Sequence, residues 1–214
     1  MTLRRTLIDG AAAFGLGLTD EQADACMVYL VELEKWYRKF NLTAIRDERE
    51  IIIKHFIDSF SYLRGFNPGP GMALLDMGSG AGFPALPIKI AAPALLVIMV
   101  ESVRKKGTFL RHIIRTLRLE GVEVLDARTG ELLPEHQARY NVVTARAFAD
   151  MGTALKEGSL FLKPGGLMIL SRGPAETVSD DTVAEQGMLV KARHEIILPG
   201  SGDPRALWVF QKKD

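Results

Sequence analysis

With 214 residues, 47% of them apolar and 25% charged, the chain has the size and composition of one ordinary soluble domain. A single cysteine, Cys26, excludes an internal disulfide and any all-cysteine metal cage, and suits a reducing compartment. A formal net charge of +1 does not announce nucleic-acid binding, so any basic surface has to be local.

In chain order, Arg4-Arg5 ahead of the small-residue run Ala11 to Leu18 has the outline of a targeting signal. Asp9 interrupts the apolar stretch, Asp20 and Glu21 follow at once, and no small-x-small cleavage site stands out, so no signal peptide is expected. The apolar run Ala91 to Val100 falls far short of the roughly 20 residues of a spanning helix. The expectation is a cytoplasmic, soluble protein. Asp20 to Phe40 carries Ala23, Met27, Leu30, Leu33 and Tyr37 at helical spacing, with acids early and Lys35, Arg38 and Lys39 late. Asn41 stops that helix. Trp36, Tyr37 and Phe40 read as core. Asp47 with Glu50 resembles a capping box for a second helix to about Leu63, with Ile52, Ile53, Phe56, Ile57 and Phe60 as its apolar face. His55 and Asp58 share a face of it, as a structural hydrogen bond or as part of a substrate pocket. The loop Gly65 to Gly71 reads as a linker, which divides the chain into an N-terminal helical extension, 1–70, and one compact domain, 71–214.

From Met72 onward, short apolar runs alternate with amphipathic helical stretches, the pattern of a parallel sheet with crossover helices. The strands are expected at Ala73–Asp76, Leu95–Glu101, Val122–Ala127, Asn141–Ala145, Leu167–Ser171, Glu195–Leu198 and Ala206–Gln211. The last two flank Pro-Gly-Ser-Gly-Asp-Pro and should form an antiparallel hairpin at the sheet's end. The fold class is therefore α/β, Rossmann-like, with seven mostly parallel strands.

Gly78-Ser79-Gly80-Ala81-Gly82 follows the first strand and precedes a helix begun at Pro84, the setting of a nucleotide-binding turn. Against the dinucleotide fingerprint, however, the third glycine comes one residue early and Phe83 takes its place. Asp76 also argues against NAD, because a carboxylate beside the turn repels a pyrophosphate. S-adenosylmethionine has no phosphate and carries a sulfonium and an ammonium, which that acid attracts. Glu101, at the end of the next strand, is placed to accept from both ribose hydroxyls of an adenosine cofactor. With the Leu162-Lys163-Pro164-Gly165-Gly166 turn, the domain resembles a class I S-adenosylmethionine-dependent methyltransferase.

The residue types narrow the chemistry. C5-methylation of pyrimidines needs a cysteine nucleophile, and Cys26 lies in the N-terminal helix. Adenine-N6 enzymes carry an Asn/Asp-Pro-Pro-aromatic turn where this chain has Thr144-Ala145-Arg146-Ala147-Phe148. Guanine N7 has a free lone pair and needs no base, only alignment of nitrogen, methyl carbon and sulfur.

On further residues the chain resembles the bacterial 16S ribosomal RNA guanine-N7 methyltransferase family (RsmG, also called GidB). These are Asn41-Leu42-Thr43, His55 with Asp58-Ser59, Asp76-x-Gly78 through Pro84, and Glu101-Ser102 followed by Lys105-Lys106 and Phe109-Leu110. Arg128, Arg146-Ala147-Phe148-Ala149 and Arg205 complete the set. The resemblance implies that Gly78, Phe83, the Thr129-Gly130 segment and Arg146 contact the cofactor, with Asp76, Gly80, Gly82 and Glu101 completing its site. It implies N7 of guanine 527 in the 530 loop of 16S rRNA as methyl acceptor, with Arg146, His55 and Asp58 as catalytic candidates. The partner is then 16S rRNA or an assembly intermediate of the small ribosomal subunit, with no metal, no membrane and a monomeric enzyme. Three positions depart from the family pattern: Ala85 for a glycine, Thr129-Gly130 for Ala-Glu, and Ser171-Arg172-Gly173 where a Lys-Gly pair is usual.

Arg104, Arg111, Arg115 and Arg118 recur at helical spacing, opposite Phe109, Leu110, Ile113, Ile114 and Leu117. The stripe is either a solvated face or a phosphate track; Lys105, Lys106 and Arg205 join it as RNA-binding candidates. Three other functions stay open: a same-fold methyltransferase acting on a small molecule, a non-catalytic RNA- or nucleotide-binding protein, and an NAD enzyme, which Asp76 and Phe83 disfavour.

Overall fold

The computed structural model describes residues 2–40, 45–132 and 135–214, without the side chains of residues 38–40. Asn41, Leu42 and Thr43 therefore lie outside the described residues, as do the side chains of Arg38, Lys39 and Phe40. The N-terminal helices are α1 (Leu3–Ala12), α2 (Asp20–Phe40), α3 (Glu48–Ile51) and α4 (Asp58–Ser61). The last two are joined by a π-helical stretch, Ile52–Ile57, that the apolar spacing did not reveal. The Asp47 side chain caps α3 by accepting from Glu50 N at 2.8 Å. The other half of a capping box is replaced by an ion pair from the Glu50 carboxylate to Lys54. The run that resembled a signal segment begins in α1, where Leu7 and Ala11 are buried and Arg4 ties the helix to Asp20 and Asp24 of α2.

The sheet follows: β1 (Ala73–Met77), α5 (Ala85–Ala91), β2 (Leu96–Val100), α6 (Arg104–Thr116), β3 (Val122–Leu125), β4 (Tyr140–Arg146), α7 (Met151–Gly158), β5 (Leu162–Arg172), α8 (Asp180–Glu185), β6 (Met188–Ile197) and β7 (Pro204–Lys212). The strand order is β3-β2-β1-β4-β5-β7-β6. Strands β1 to β5 run parallel, and β7 is antiparallel to both β5 and β6. The chain winds outward from β1 to β3 and then restarts at β4 on the other side of β1. That reversal opens a crevice at the carboxyl ends of β1 and β4.

Period-two alternation assigns strand residues to two cores. Leu74, Val97, Val142 and Leu207 join one with the N-terminal helices, including Leu7, Tyr29 and Phe56. Leu75, Val143, Ala145 and Trp208 join the other, with Leu155 of α7 and Phe161.

Two strands, β5 and β6, begin well before the apolar pattern suggested. Strand β5 starts at Leu162 because the Lys163-Pro164-Gly165-Gly166 turn is a bulge within the strand, not a loop before it. Leu162 pairs with Tyr140, Leu167 pairs with Val142, and Gly165 between them has φ +70°. Strand β6 starts at Met188 because it is an edge strand whose Leu189, Val190 and Lys191 are exposed, so apolar alternation fades there. Among the described residues no helix is long and apolar enough to cross a membrane.

Candidate active site

Two clefts lie at the carboxyl ends of the parallel strands. The first, of about 450 Å³, is lined by Gly78 after β1, Val100 and Ser102 at the end of β2, Ala127 to Glu131 after β3, and Phe148 after β4. The second, of about 400 Å³, is lined by Asp58, Arg146, Ala147, Ser171, Arg172, Gly173, Glu176 and Arg205. Arg146-Ala147-Phe148 separates them: Arg146 lines the second and Phe148 the first. Ala147 between them has φ +49°, a left-handed conformation that costs a non-glycine residue roughly 1 kcal/mol.

The glycine turn is fastened by its own backbone and by Glu101. Ser79 N donates to Val100 O at 2.9 Å, and Gly82 N donates to Ser79 O at 2.7 Å. Glu101 is buried and accepts from Gly80 N at 2.8 Å and from Val103 N at 2.7 Å, so it ties the turn to the start of α6. The glycines play different parts. At Gly78, with φ +65°, a Cβ would stand 2.8 Å from the Phe148 ring. At Gly82, with φ +93°, it would meet the Tyr29 hydroxyl at 2.5 Å, and that hydroxyl donates to Ala81 O. Gly82 thus serves packing against α2. Phe83 lies in the same layer, stacked 5.2 Å from Tyr29 and 4.8 Å from His55.

Asp76 is 1% exposed. Thr144 Oγ1 donates to its Oδ1 at 2.8 Å, while Oδ2 has no hydrogen-bond partner. Burial pushes this carboxyl up to about 7. Thr129 and Gly130 form one side of the first cleft. Glu131 lines it too, and its carboxylate accepts from Arg128 N at 3.0 Å.

Arg146 is held from the N-terminal helices. Its Nη2 donates to Lys54 O at 2.7 Å and to His55 Nδ1 at 2.9 Å, and its Nε stands 3.5 Å from Asp58 Oδ2. A guanidinium only donates, so at this contact His55 Nδ1 accepts, which assigns the proton of the neutral imidazole to Nε2 and makes the 3.2 Å approach of Nδ1 to Lys54 O a contact without a proton between them. Burial, reinforced by the Arg146 charge, holds His55 down at about 3. The π-helical stretch supplies both Lys54 O and His55 to this one nitrogen. Asp58 is buried; desolvation raises its pKa, while Arg146 and Arg205 pull it back. Sequence spacing had paired His55 with Asp58; in the fold both reach the same guanidinium.

Arg205 stands 3.7 Å from Asp58 Oδ1, away from the arginines of α6. Arg111 is committed to the β3 side, ion-paired to Asp126 at 2.9 Å and donating to Val124 O. Arg104, Lys105 and Arg115 are exposed, Lys106 is half-buried, and Arg118 lies beyond the end of α6. Spacing had not singled out Arg172 as a site residue. It is 7% exposed, with Nε 3.3 Å from Glu176 and Nη2 without a hydrogen-bond partner. Its only signal was the departure at Ser171-Arg172-Gly173. Among the described residues no group of three or more His, Cys, Asp or Glu side chains is placed to hold a metal.

A seven-stranded sheet in this order, with a glycine turn after β1 and ligand clefts at the switch point, is the fold of class I S-adenosylmethionine-dependent methyltransferases. The solved structure of M. jannaschii TYW2 in complex with AdoMet shares it with a TM-score of 0.55 at 15% identity, over 71% of this chain and 74% of that one. Residues 22–198 match the family rRNA small subunit methyltransferase G. The chain is 39% identical over 213 residues to the ribosomal RNA small subunit methyltransferase G of Geobacter metallireducens, covering 97% of this chain and 96% of the relative. It is 41% identical over 217 residues to the same enzyme of Acetivibrio thermocellus, covering 99% and 89%. The chain belongs to the rRNA small subunit methyltransferase G family and is a ribosomal RNA methyltransferase.

Proposed function

We propose that this enzyme transfers the methyl group of S-adenosylmethionine to N7 of guanine 527 in the 530 loop of 16S rRNA. In this reading residues 1–70 form a helical extension beside a catalytic domain, 71–214, and the enzyme works as a metal-free cytoplasmic monomer. The observation that carries it is the pair of clefts meeting at Arg146-Ala147-Phe148, one suited to an adenosine cofactor and one to an acceptor base.

The residues fit the cofactor. Buried Asp76 Oδ2 is an acceptor without a donor, which a cationic group of the ligand satisfies. Each Glu101 oxygen has one backbone N–H and a second lone pair left for a ribose hydroxyl. In this reading the adenine lies against Thr129 and Gly130, which line the first cleft, and the absence of a side chain at Gly78 leaves room for the Phe148 ring. When bound, S-adenosylmethionine supplies an electrophilic methyl on a positively charged sulfur. The protein then has to orient and to exclude water, because guanine N7 has no proton to lose. Arg146, tied at three points, is the rigid element between the two clefts.

The test is mass spectrometry of ribosomal RNA from cells with and without the gene. Loss of 7-methylguanosine at that one position on deletion is expected. An unchanged 16S methylation map, with a metabolite losing its methyl instead, would favour the small-molecule reading.

A further inference from the structure

The second cleft holds more unsatisfied polar atoms than packing accounts for. Asp58 is 2% exposed, and its Oδ1 has no hydrogen-bond partner; the nearest cation, Arg205 Nε, is 3.7 Å away. Arg146 Nη1 and Arg172 Nη2 are also buried without hydrogen-bond partners. All three residues line the same 400 Å³ space. A buried carboxylate oxygen and buried guanidinium donors without hydrogen bonds each cost free energy; all three belong to side chains that line one cavity, so a ligand with complementary groups relieves that cost once the side chains turn towards it.

We propose that this cleft seats the acceptor base and that Asp58 is its specificity-determining residue, accepting hydrogen bonds from N1–H and the 2-amino group of guanine. The inference rests on the guanine-N7 reading above and names the contact that selects the base. Along the guanine edge the groups run 2-amino donor, N1–H donor, O6 acceptor and then N7. Asp58 meets the two donors, and the unpaired donors of Arg146 and Arg172 meet O6. N7, the next atom, is left uncovered for the methyl. Adenine presents a lone pair at N1, which faces the carboxylate unfavourably, and a donor at position 6, which faces the guanidinium groups.

The same contact bears on rate. In the transfer the N7 lone pair forms the new N–C bond while the S–C bond breaks and its electron pair stays on sulfur. The positive charge passes from the sulfonium to the base, and no proton moves. As the base becomes cationic its N1–H is a stronger donor, so the bond to Asp58 is stronger in the transition state than in the ground state. Asp58 accordingly raises kcat as well as lowering KM.

The experiment uses the full-length enzyme and small ribosomal subunits reconstituted with guanosine or inosine at the acceptor position. Inosine keeps N7, O6 and N1–H and lacks only the 2-amino group. For the wild type kcat/KM should fall roughly 10- to 100-fold on inosine, the range for a hydrogen bond to a charged group. For Asp58→Asn, with S-adenosylmethionine affinity by calorimetry as the check on folding, the guanosine-to-inosine ratio should approach one. Transfer to guanosine should itself be slower, mainly through kcat. Equal wild-type rates on both nucleosides would overturn the proposal while leaving guanine-N7 methylation intact, and that result needs no variant. An undiminished ratio in Asp58→Asn would overturn it too, reducing Asp58 to a partner of Arg146. If the wild type methylates neither particle yet binds S-adenosylmethionine, the guanine-N7 reading itself fails.

Discussion

Cofactor affinity should depend on pH through one residue, Asp76. Its carboxyl is pushed up to about 7 by burial, and Oδ2 lacks a hydrogen-bond partner. A cationic ligand beside it binds the ionised form, so affinity scales with the ionised fraction. Between pH 7.5 and pH 5.5 that fraction falls about 25-fold, equivalent to about 2 kcal/mol of binding free energy. The ligand's α-ammonium stays largely protonated below about pH 7.7, and His55, held down at about 3, stays neutral throughout. The remaining charged groups acting on Asp76 are Arg146 and Glu101. Titration calorimetry with S-adenosylmethionine across this range, in two buffers of different ionisation enthalpy, measures both the affinity and the proton released. Weaker binding towards acid, with release of up to about one proton near pH 5.5, is expected for the wild type. Asp76→Asn should give a flat profile. A flat wild-type profile, or an unchanged slope in Asp76→Asn, would mean that Asp76 does not meet the ligand's positive charge.

Three other changes separate the parts of the site. Gly78→Ala puts a methyl 2.8 Å from the Phe148 ring at φ +65°, so S-adenosylmethionine affinity should fall at least about 10-fold, with roughly 1 kcal/mol lost in urea unfolding. His55 binds protons less readily folded than unfolded, so between its unfolded value near 6.5 and about 3 stability falls as pH falls. At pH 5 the effect is about 2 kcal/mol, and urea midpoints at pH 7 and pH 5 should converge for His55→Asn relative to the wild type. On α6, Arg104→Ala and Arg115→Ala should weaken rRNA binding and each reduce its salt slope by about 1 without a change in thermal midpoint. Arg111→Ala should instead cost stability, about 1 kcal/mol, because it releases Asp126 and Val124 O. Equal effects on RNA binding from all three would make the stripe a single phosphate track after all.

What the sequence disclosed and what it hid have a physical division. Buried strands are largely continuous apolar runs, so the five parallel strands and β7 were readable between Ala73 and Gln211, and the glycine turn was legible because only its residue types allow such a backbone. The edge strand β6 was half hidden because exposed residues alternate little, and the bulge at Gly165 looked like a loop because Pro-Gly is turn chemistry in either place. Helical spacing put His55 and Asp58 on one face but gave no hint that a π-helical stretch aims Lys54 O and His55 at Arg146, 91 residues beyond His55. Nor could spacing tell that Arg111 spends its charge on Asp126, since they are neighbours only once α6 packs on β3. Arg172 and Asp58, from distant segments, meet in one cleft only through the sheet order.

The site of methyl transfer is read by incubating the purified enzyme with methyl-labelled S-adenosylmethionine and small ribosomal subunits lacking the modification, then mapping the label by nuclease digestion and mass spectrometry. A single 7-methylguanosine at position 527 of 16S rRNA is expected. Label at another atom or another nucleotide, or no transfer by protein that binds the cofactor, would contradict the proposed function.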